Sequence, residues 1–154
     1  MQKLIVVRHG HTQPHNKQLD EHGREGTKRL GVELKKYITD DAKLLILTSP
    51  LIRAQQTAEI LGSLLGTQPV VEESFTYSDD APENNPHLLN RFLAQTDGKS
   101  FDIVIMVTHE PTAGSFPGFF AEKVLKVKLE SYSLMHCSAW VVDCEQKTLK
   151  MVIC

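Results

Sequence analysis

The chain alternates unbroken apolar runs with longer stretches in which apolar and polar residues recur at helical spacing. Leu4-Ile5-Val6-Val7, Leu44 to Leu47 and Ile103 to Val107 are continuous aliphatic runs, the pattern of strands buried on both faces. Val70-Val71 predicts a shorter third strand, between the second and fourth. Gly23 to Ile38 carries Leu30, Leu34 and Ile38 at fourfold spacing, and Leu51 to Leu65 places Ala54, Ala58, Leu61 and Leu65 on one face. Both patterns predict amphipathic helices, the second closed by Gly66 as a C-cap. His87 to Gln95 predicts a short helix, and the polar stretch Ser74 to Pro86 a loop. Phe116, Phe119 and Phe120 read as buried helix packing, and Trp140 as core. Tyr132 to Val142 and Thr148 to Ile153 predict a hairpin around Asp143 to Lys147. This alternation implies an α/β fold, a three-layer αβα sandwich whose central sheet is mostly parallel with an antiparallel edge.

Composition narrows the function classes. The 154 residues suit one domain spanning 1–154. A formal net charge of -2 leaves no basic footprint for nucleic acid. No apolar stretch approaches the roughly 20 residues of a membrane span, and the N-terminal run is too short for a signal peptide. The three cysteines, Cys137, Cys144 and Cys154, are odd in number and show no CxxC spacing, so reduced thiols in the cytoplasm are expected.

The chemistry sits where the predicted strands end. The first strand runs into Arg8-His9-Gly10-His11-Thr12, the second into Thr48-Ser49-Pro50-Leu51-Ile52-Arg53, and the fourth into Thr108-His109-Glu110-Pro111. Ligands of open α/β sheets bind at the carboxyl ends of strands. If these strands are parallel neighbours, Arg8, His9, Arg53 and His109 share one pocket. Guanidinium groups pair bidentately with phosphate oxygens, and a neutral imidazole among them is a candidate nucleophile. Arg53, near the start of its helix, adds a helix N-terminus that favours an anion. Thr12 either bonds a phosphate oxygen or caps the following turn. Thr48 and Ser49 read as turn chemistry, His11 as a rim residue, and His15, His22 and His87 as surface histidines. His136 and Ser138 are further candidates to border the site.

Arg8-His9-Gly10 with Thr12, Ser49-Pro50-Leu51-x-Arg53-Ala54-x-Gln56-Thr57-Ala58, and His109-x-Pro111-x-x-Gly114 together resemble the histidine phosphatase superfamily, also called phosphoglycerate mutase-like. The short length and the His-x-Pro-x-x-Gly segment most resemble SixA-type phosphohistidine phosphatases. The resemblance implies the phosphoglycerate mutase-like fold and a two-step phosphoryl transfer through a phosphohistidine on His9. Arg8, Arg53 and His109 would hold the equatorial oxygens, with no cofactor and no metal required. One departure stands out: such relatives carry Leu-Thr-x-x-Gly before the first helix, where this chain has Leu19-Asp20-Glu21-His22-Gly23. Asp20 still suits an N-cap.

For alcohol phosphates the resemblance implies a general acid after the third strand. Glu72, Glu73, Asp79 and Asp80 are the candidates, with Glu73 preferred. A phosphoramidate P–N bond to imidazole needs less help from an acid, so the weak acid signal favours a phosphohistidine on a protein as substrate. Size points the same way, because little chain is left over to build a cap above the pocket. The expected partner is therefore a phosphorylated protein or a small phosphorylated metabolite, with neither nucleic acid nor membrane. Two other readings stay open: a non-catalytic phospho-ligand binding module on the same fold, and a transition-metal site built from His9, His11 and His109.

Overall fold

In the computed structural model, which describes residues 1–78, Pro82 and 85–154, six strands form one sheet in the order β3-β2-β4-β1-β5-β6. The strands are β1 (Lys3–Arg8), β2 (Leu44–Thr48), β3 (Pro69–Val71), β4 (Ile103–Thr108), β5 (Ser138–Asp143) and β6 (Thr148–Ile153). β1, β2, β3 and β4 run parallel, while β5 and β6 pair antiparallel along one side. The helices are α1 (Glu21–Leu34), α2 (Ile52–Leu65), α3 (Pro86–Thr96) and α4 (Thr112–Phe120).

Strand alternation explains the three layers. In β1, Ile5 and Val7 join Leu30 and Leu34 of α1 and Ala54, Ala58 and Leu61 of α2 in one apolar cluster. Leu4 and Val6 face the opposite way, packing with Phe92 of α3 and Phe116 and Phe120 of α4. β4 divides likewise, Ile103, Ile105 and Val107 to the first cluster and Val104 and Met106 to the second. Strands covered by helices on both faces need apolar residues at every position, hence the unbroken runs. The rings of Phe92, Phe116 and Phe120 in the second cluster meet edge-on or tilted, with centroids 5.4 to 6.3 Å apart.

Asp20 is the N-cap of α1, its Oδ1 accepting from the Gly23 N–H at 2.7 Å. A Cβ on Gly23 would lie 2.1 Å from the His11 carbonyl oxygen, so the first turn of α1 fits against the loop after β1 only as glycine. Gly23→Ala is expected to destabilise the fold by about 3 kcal/mol, since neither backbone can yield cheaply; thermal unfolding of the variant checks this. At the far end of α2, Gly66 adopts φ 75° and caps the helix as predicted.

The structure corrects two boundaries. α1 ends at Leu34 and continues to Tyr37 only as a 3₁₀ turn, Lys35–Tyr37. The predicted hairpin strand from Tyr132 begins instead at Ser138, because the backbone before it is engaged elsewhere. There Glu110 Oε1 accepts from Leu134 N–H at 2.7 Å, and the Leu134 carbonyl accepts from Arg8 Nη1 at 2.6 Å. The whole of α4 escapes a simple apolar pattern, with Gly114, Pro117 and Gly118 inside it. No helix of the described residues is long and apolar enough to cross a membrane.

Candidate active site

The register of the parallel strands brings the three strand ends together. Arg8 stands beside Thr108, and Thr48 beside Val107, so His9, Ser49 and His109 follow at one edge of the sheet. Antiparallel β5 enters from the same edge, where Ala139 pairs with Val7. α2 leaves that edge with Arg53 as its second residue. Thr57 ties it to the nucleophile loop: its hydroxyl donates to the Arg53 carbonyl at 2.8 Å and accepts from Gly10 N–H at 3.0 Å.

His9 is 6% exposed and its ring is held at both nitrogens. Nδ1 lies 2.8 Å from the Gly10 carbonyl oxygen, which can only accept, so Nδ1 carries the hydrogen. Nε2 receives the Arg53 Nε–H at 3.1 Å; a guanidinium only donates, so Nε2 presents a lone pair. Burial, with Arg53, His136 and Arg8 close by, pushes His9 down to about 3. The ring is thus a neutral base facing two guanidinium groups.

His109 lies 5.1 Å from His9 between ring centroids and is 3% exposed. Its Nε2 meets Ser49 Oγ at 2.7 Å, and that hydroxyl accepts from Leu51 N–H at 3.2 Å. Burial and the neighbouring His9, Arg53 and Arg8 hold it at about 3. His136, half-buried on the loop before β5, sets its ring 5.2 Å from His9, and burial and Arg8 lower it to about 4. Tyr77 stands edge-on to His109 at 6.3 Å.

Three buried side-chain polar atoms among the described residues have no hydrogen-bond partner: Arg8 Nε, His109 Nδ1 and Ser138 Oγ. All three belong to the residues at this edge. Orphaned buried polar atoms are rare in folded proteins, and their gathering around His9 suits the binding of a polar ligand. No group of three or more His, Cys, Asp or Glu among the described residues is placed to hold a metal ion.

The remaining candidates are placed as follows. Thr12 is half-buried and pairs with Leu19 in an isolated antiparallel bridge. Glu73 is exposed on a 3₁₀ turn, Glu73–Phe75, and bonds none of the four central residues. Glu72 is buried; its carboxylate accepts from Ser74 and from Gln95 Nε2 at 2.8 Å. Burial by itself would raise that carboxyl, but these hydrogen bonds and Arg91 hold it below the usual range. Asp79 and Asp80 lie outside the described residues. His11 bonds Asp20 through Nδ1 at the rim. Sequence reasoning passed over Glu110, which clamps the loop holding Arg8, and Tyr77; neither lies in a pattern that announces it.

These buried imidazoles make acid stability predictable. His9 and His109 stay neutral in the fold down to about 3, whereas unfolded histidine takes a proton near 6.5. Between those values the unfolded chain binds more protons, so stability is fully present above about 6.5 and falls as pH drops. Each such histidine removes about 1.4 kcal/mol per pH unit. Urea unfolding at pH 7 and pH 5 should show a loss of a few kcal/mol, and equal stability would contradict the buried, neutral pair.

An imidazole lone pair that accepts from Arg53, at the edge where parallel strands end, is the centre of the site. The chain has this fold and, over residues 4–76, matches the histidine phosphatase superfamily (branch 1), a stretch that includes Arg8, His9 and Arg53. The protein histidine phosphatase SixA complexed with tungstate is similar at a TM-score of 0.66 and 17% identity, over 97% of this chain and 94% of that one. A protein from Agrobacterium tumefaciens assigned as a phosphohistidine phosphatase SixA gives 0.66 and 18%, over 98% and 95%. A mycobacterial glucosyl-3-phosphoglycerate phosphatase gives 0.63 and 18%, over 99% and 98%. At such identities the likeness is one of fold. No curated protein matches the sequence.

Proposed function

We propose that this chain is a phosphatase that removes the phosphoryl group from phosphohistidine on a protein, through a covalent intermediate on His9. The observation that carries the reading is the tautomer of His9, fixed by Gly10 and Arg53 so that Nε2 is an unprotonated nucleophile. The arriving phosphoryl group draws Arg53 from Nε2 onto its own oxygens. Nε2 then attacks phosphorus in line, and the P–N bond of the substrate breaks. The electron pair goes to the departing imidazole nitrogen, which takes a proton. Water attacks the phosphorylated His9 in the second step, releasing inorganic phosphate and restoring the imidazole.

Arg8, Arg53 and His109 neutralise charge on the equatorial oxygens in both steps, and Thr12 is assigned a further hydroxyl contact to them. The orphaned Arg8 Nε and His109 Nδ1 are the donors free for that task. Because the guanidinium groups supply the positive charge, no cofactor or metal is assigned to the reaction. In this reading the enzyme works in the cytoplasm. SixA solved with tungstate, a tetrahedral oxyanion, is consistent with an anion in this pocket.

A second reading, hydrolysis of a small phosphomonoester, is favoured by the likeness to glucosyl-3-phosphoglycerate phosphatase. An alkoxide leaves poorly, so that reaction calls for an acid, and Glu73 is the residue assigned to it. A turnover assay with EDTA present, on a phosphohistidine-bearing protein and on an aryl phosphate, decides between them. Rapid loss of phosphohistidine with feeble aryl phosphate turnover supports the first reading. Efficient turnover of phosphomonoesters alone, slowed by Glu73→Gln, supports the second. Silence on both substrates favours a binding module.

A further inference from the structure

Beside the His9 pocket a groove of about 430 Å³ runs between α1 and the ends of β5 and β6. Arg8 and His136 belong to both the pocket and the groove, and Arg29 of α1 lines it further out. A relay of imidazoles marks its course. From His9 the ring of His136 is 5.2 Å away, His11 a further 5.5 Å, and His22 a further 5.8 Å. Past Arg29 the groove meets a second depression of about 270 Å³ that shares Arg29 and Ile153.

The side-chain charge of this groove is one-sided. The chain has 19 acidic and 17 basic residues, yet no Asp or Glu lines the 430 Å³ groove. The carboxylates close to it are already engaged: Asp20 with His11, Glu25 with Lys28 at 2.7 Å, and Glu33 with Lys36. Arg29, exposed, makes no ion pair among the described residues; Glu25, held by Lys28, feels its charge only at longer range. Two large apolar side chains stand in solvent along the same groove, Met135 at 62% and Ile153 at 53% exposed. A cation without a partner and an apolar rim are what a polypeptide uses, and a small phosphate ester has no need of the second.

We infer that this groove is a second anion subsite. It takes an acidic side chain of the protein substrate next to the phosphorylated residue, with Arg29 pairing its carboxylate. Met135 and Ile153 cover the aliphatic part of the bound segment. This inference rests on the protein-phosphohistidine reading and gives it a sequence preference: acidic residues near the phosphorylated side chain.

The test uses two synthetic peptides that carry a non-hydrolysable phosphonate analogue of phosphohistidine, one flanked by glutamates and one by lysines. Binding to the full chain is measured by fluorescence anisotropy at low salt. The glutamate peptide should bind about fivefold more tightly, in line with one exposed charge pair plus avoided repulsion. Arg29→Glu, on the exposed face of α1, should reverse the order, and Arg29→Lys should keep most of it. Equal affinities, or a preference that Arg29→Glu leaves intact, overturn the subsite. Turnover of phosphohistidine is read separately. Turnover without charge preference removes the subsite and keeps the proposed function; an Arg29-dependent preference without turnover does the reverse.

Discussion

His9→Asn is expected to lower phosphatase turnover by at least about 10⁴-fold while leaving the fold intact, because it removes the imidazole lone pair that attacks phosphorus. Asparagine offers an amide N–H close to where Nδ1 donates to the Gly10 carbonyl, so the backbone after β1 keeps its partner. It offers no lone pair of comparable basicity at the position of Nε2. His9→Ala removes both functions and leaves a buried carbonyl unpaired, which costs about 1–3 kcal/mol in addition to activity. The comparison separates chemistry from stability: both variants should be inactive, and only alanine should unfold appreciably earlier. His9→Asn also removes one of the imidazoles that resist protonation, so its stability should fall less between pH 7 and pH 5 than that of the parent. Turnover retained in either variant would sink the mechanism.

Arg53→Ala should lower kcat by about 10²–10³-fold and raise KM with it, the size of loss seen when one preorganised donor to a developing oxyanion is removed. Two roles coincide in this side chain. Its Nε–H fixes which nitrogen of His9 is bare, at 3.1 Å, and its remaining N–H groups are available to equatorial oxygens. Arg53→Lys restores the charge without the planar fork, so it should recover only part of the loss. Removing the cation also relieves part of what holds His9 low. The acid limb of the kcat/KM profile should therefore move to higher pH in Arg53→Ala. A loss confined to KM, with an unmoved profile, would reduce Arg53 to a substrate-binding residue.

Much of the architecture was legible because the parallel strands are sealed on both faces. Leu4 to Val7 of β1, Leu44 to Leu47 of β2 and Ile103 to Val107 of β4 are apolar without interruption for that reason, and α1 and α2 carry one apolar stripe each. The loop before β5 was not legible. Tyr132 to Cys137 has the composition of a strand, but its polar groups are committed to Glu110, Arg8 and Trp140, and no local rule encodes those partners. The bounds of α4 were hidden by its glycines and Pro117, which local propensity disfavours and tertiary packing overrides, although Phe116, Phe119 and Phe120 already read as helix packing.

At the site, the motif residues Arg8, His9, Arg53 and His109 announce themselves, since each lies at or soon after a strand end. Sequence alone determined the residue types and their position relative to the strands, because binary patterning and the strand-end rule are local. Only the tertiary structure decided which nitrogen of His9 is bare, which carboxylates are spent on capping, and that His136 comes within 5.2 Å of His9. The contacts of His9 with Arg53 and His136 join residues far apart in the chain; their distances are set by sheet register, and register is a property of the assembled sheet rather than of any one segment.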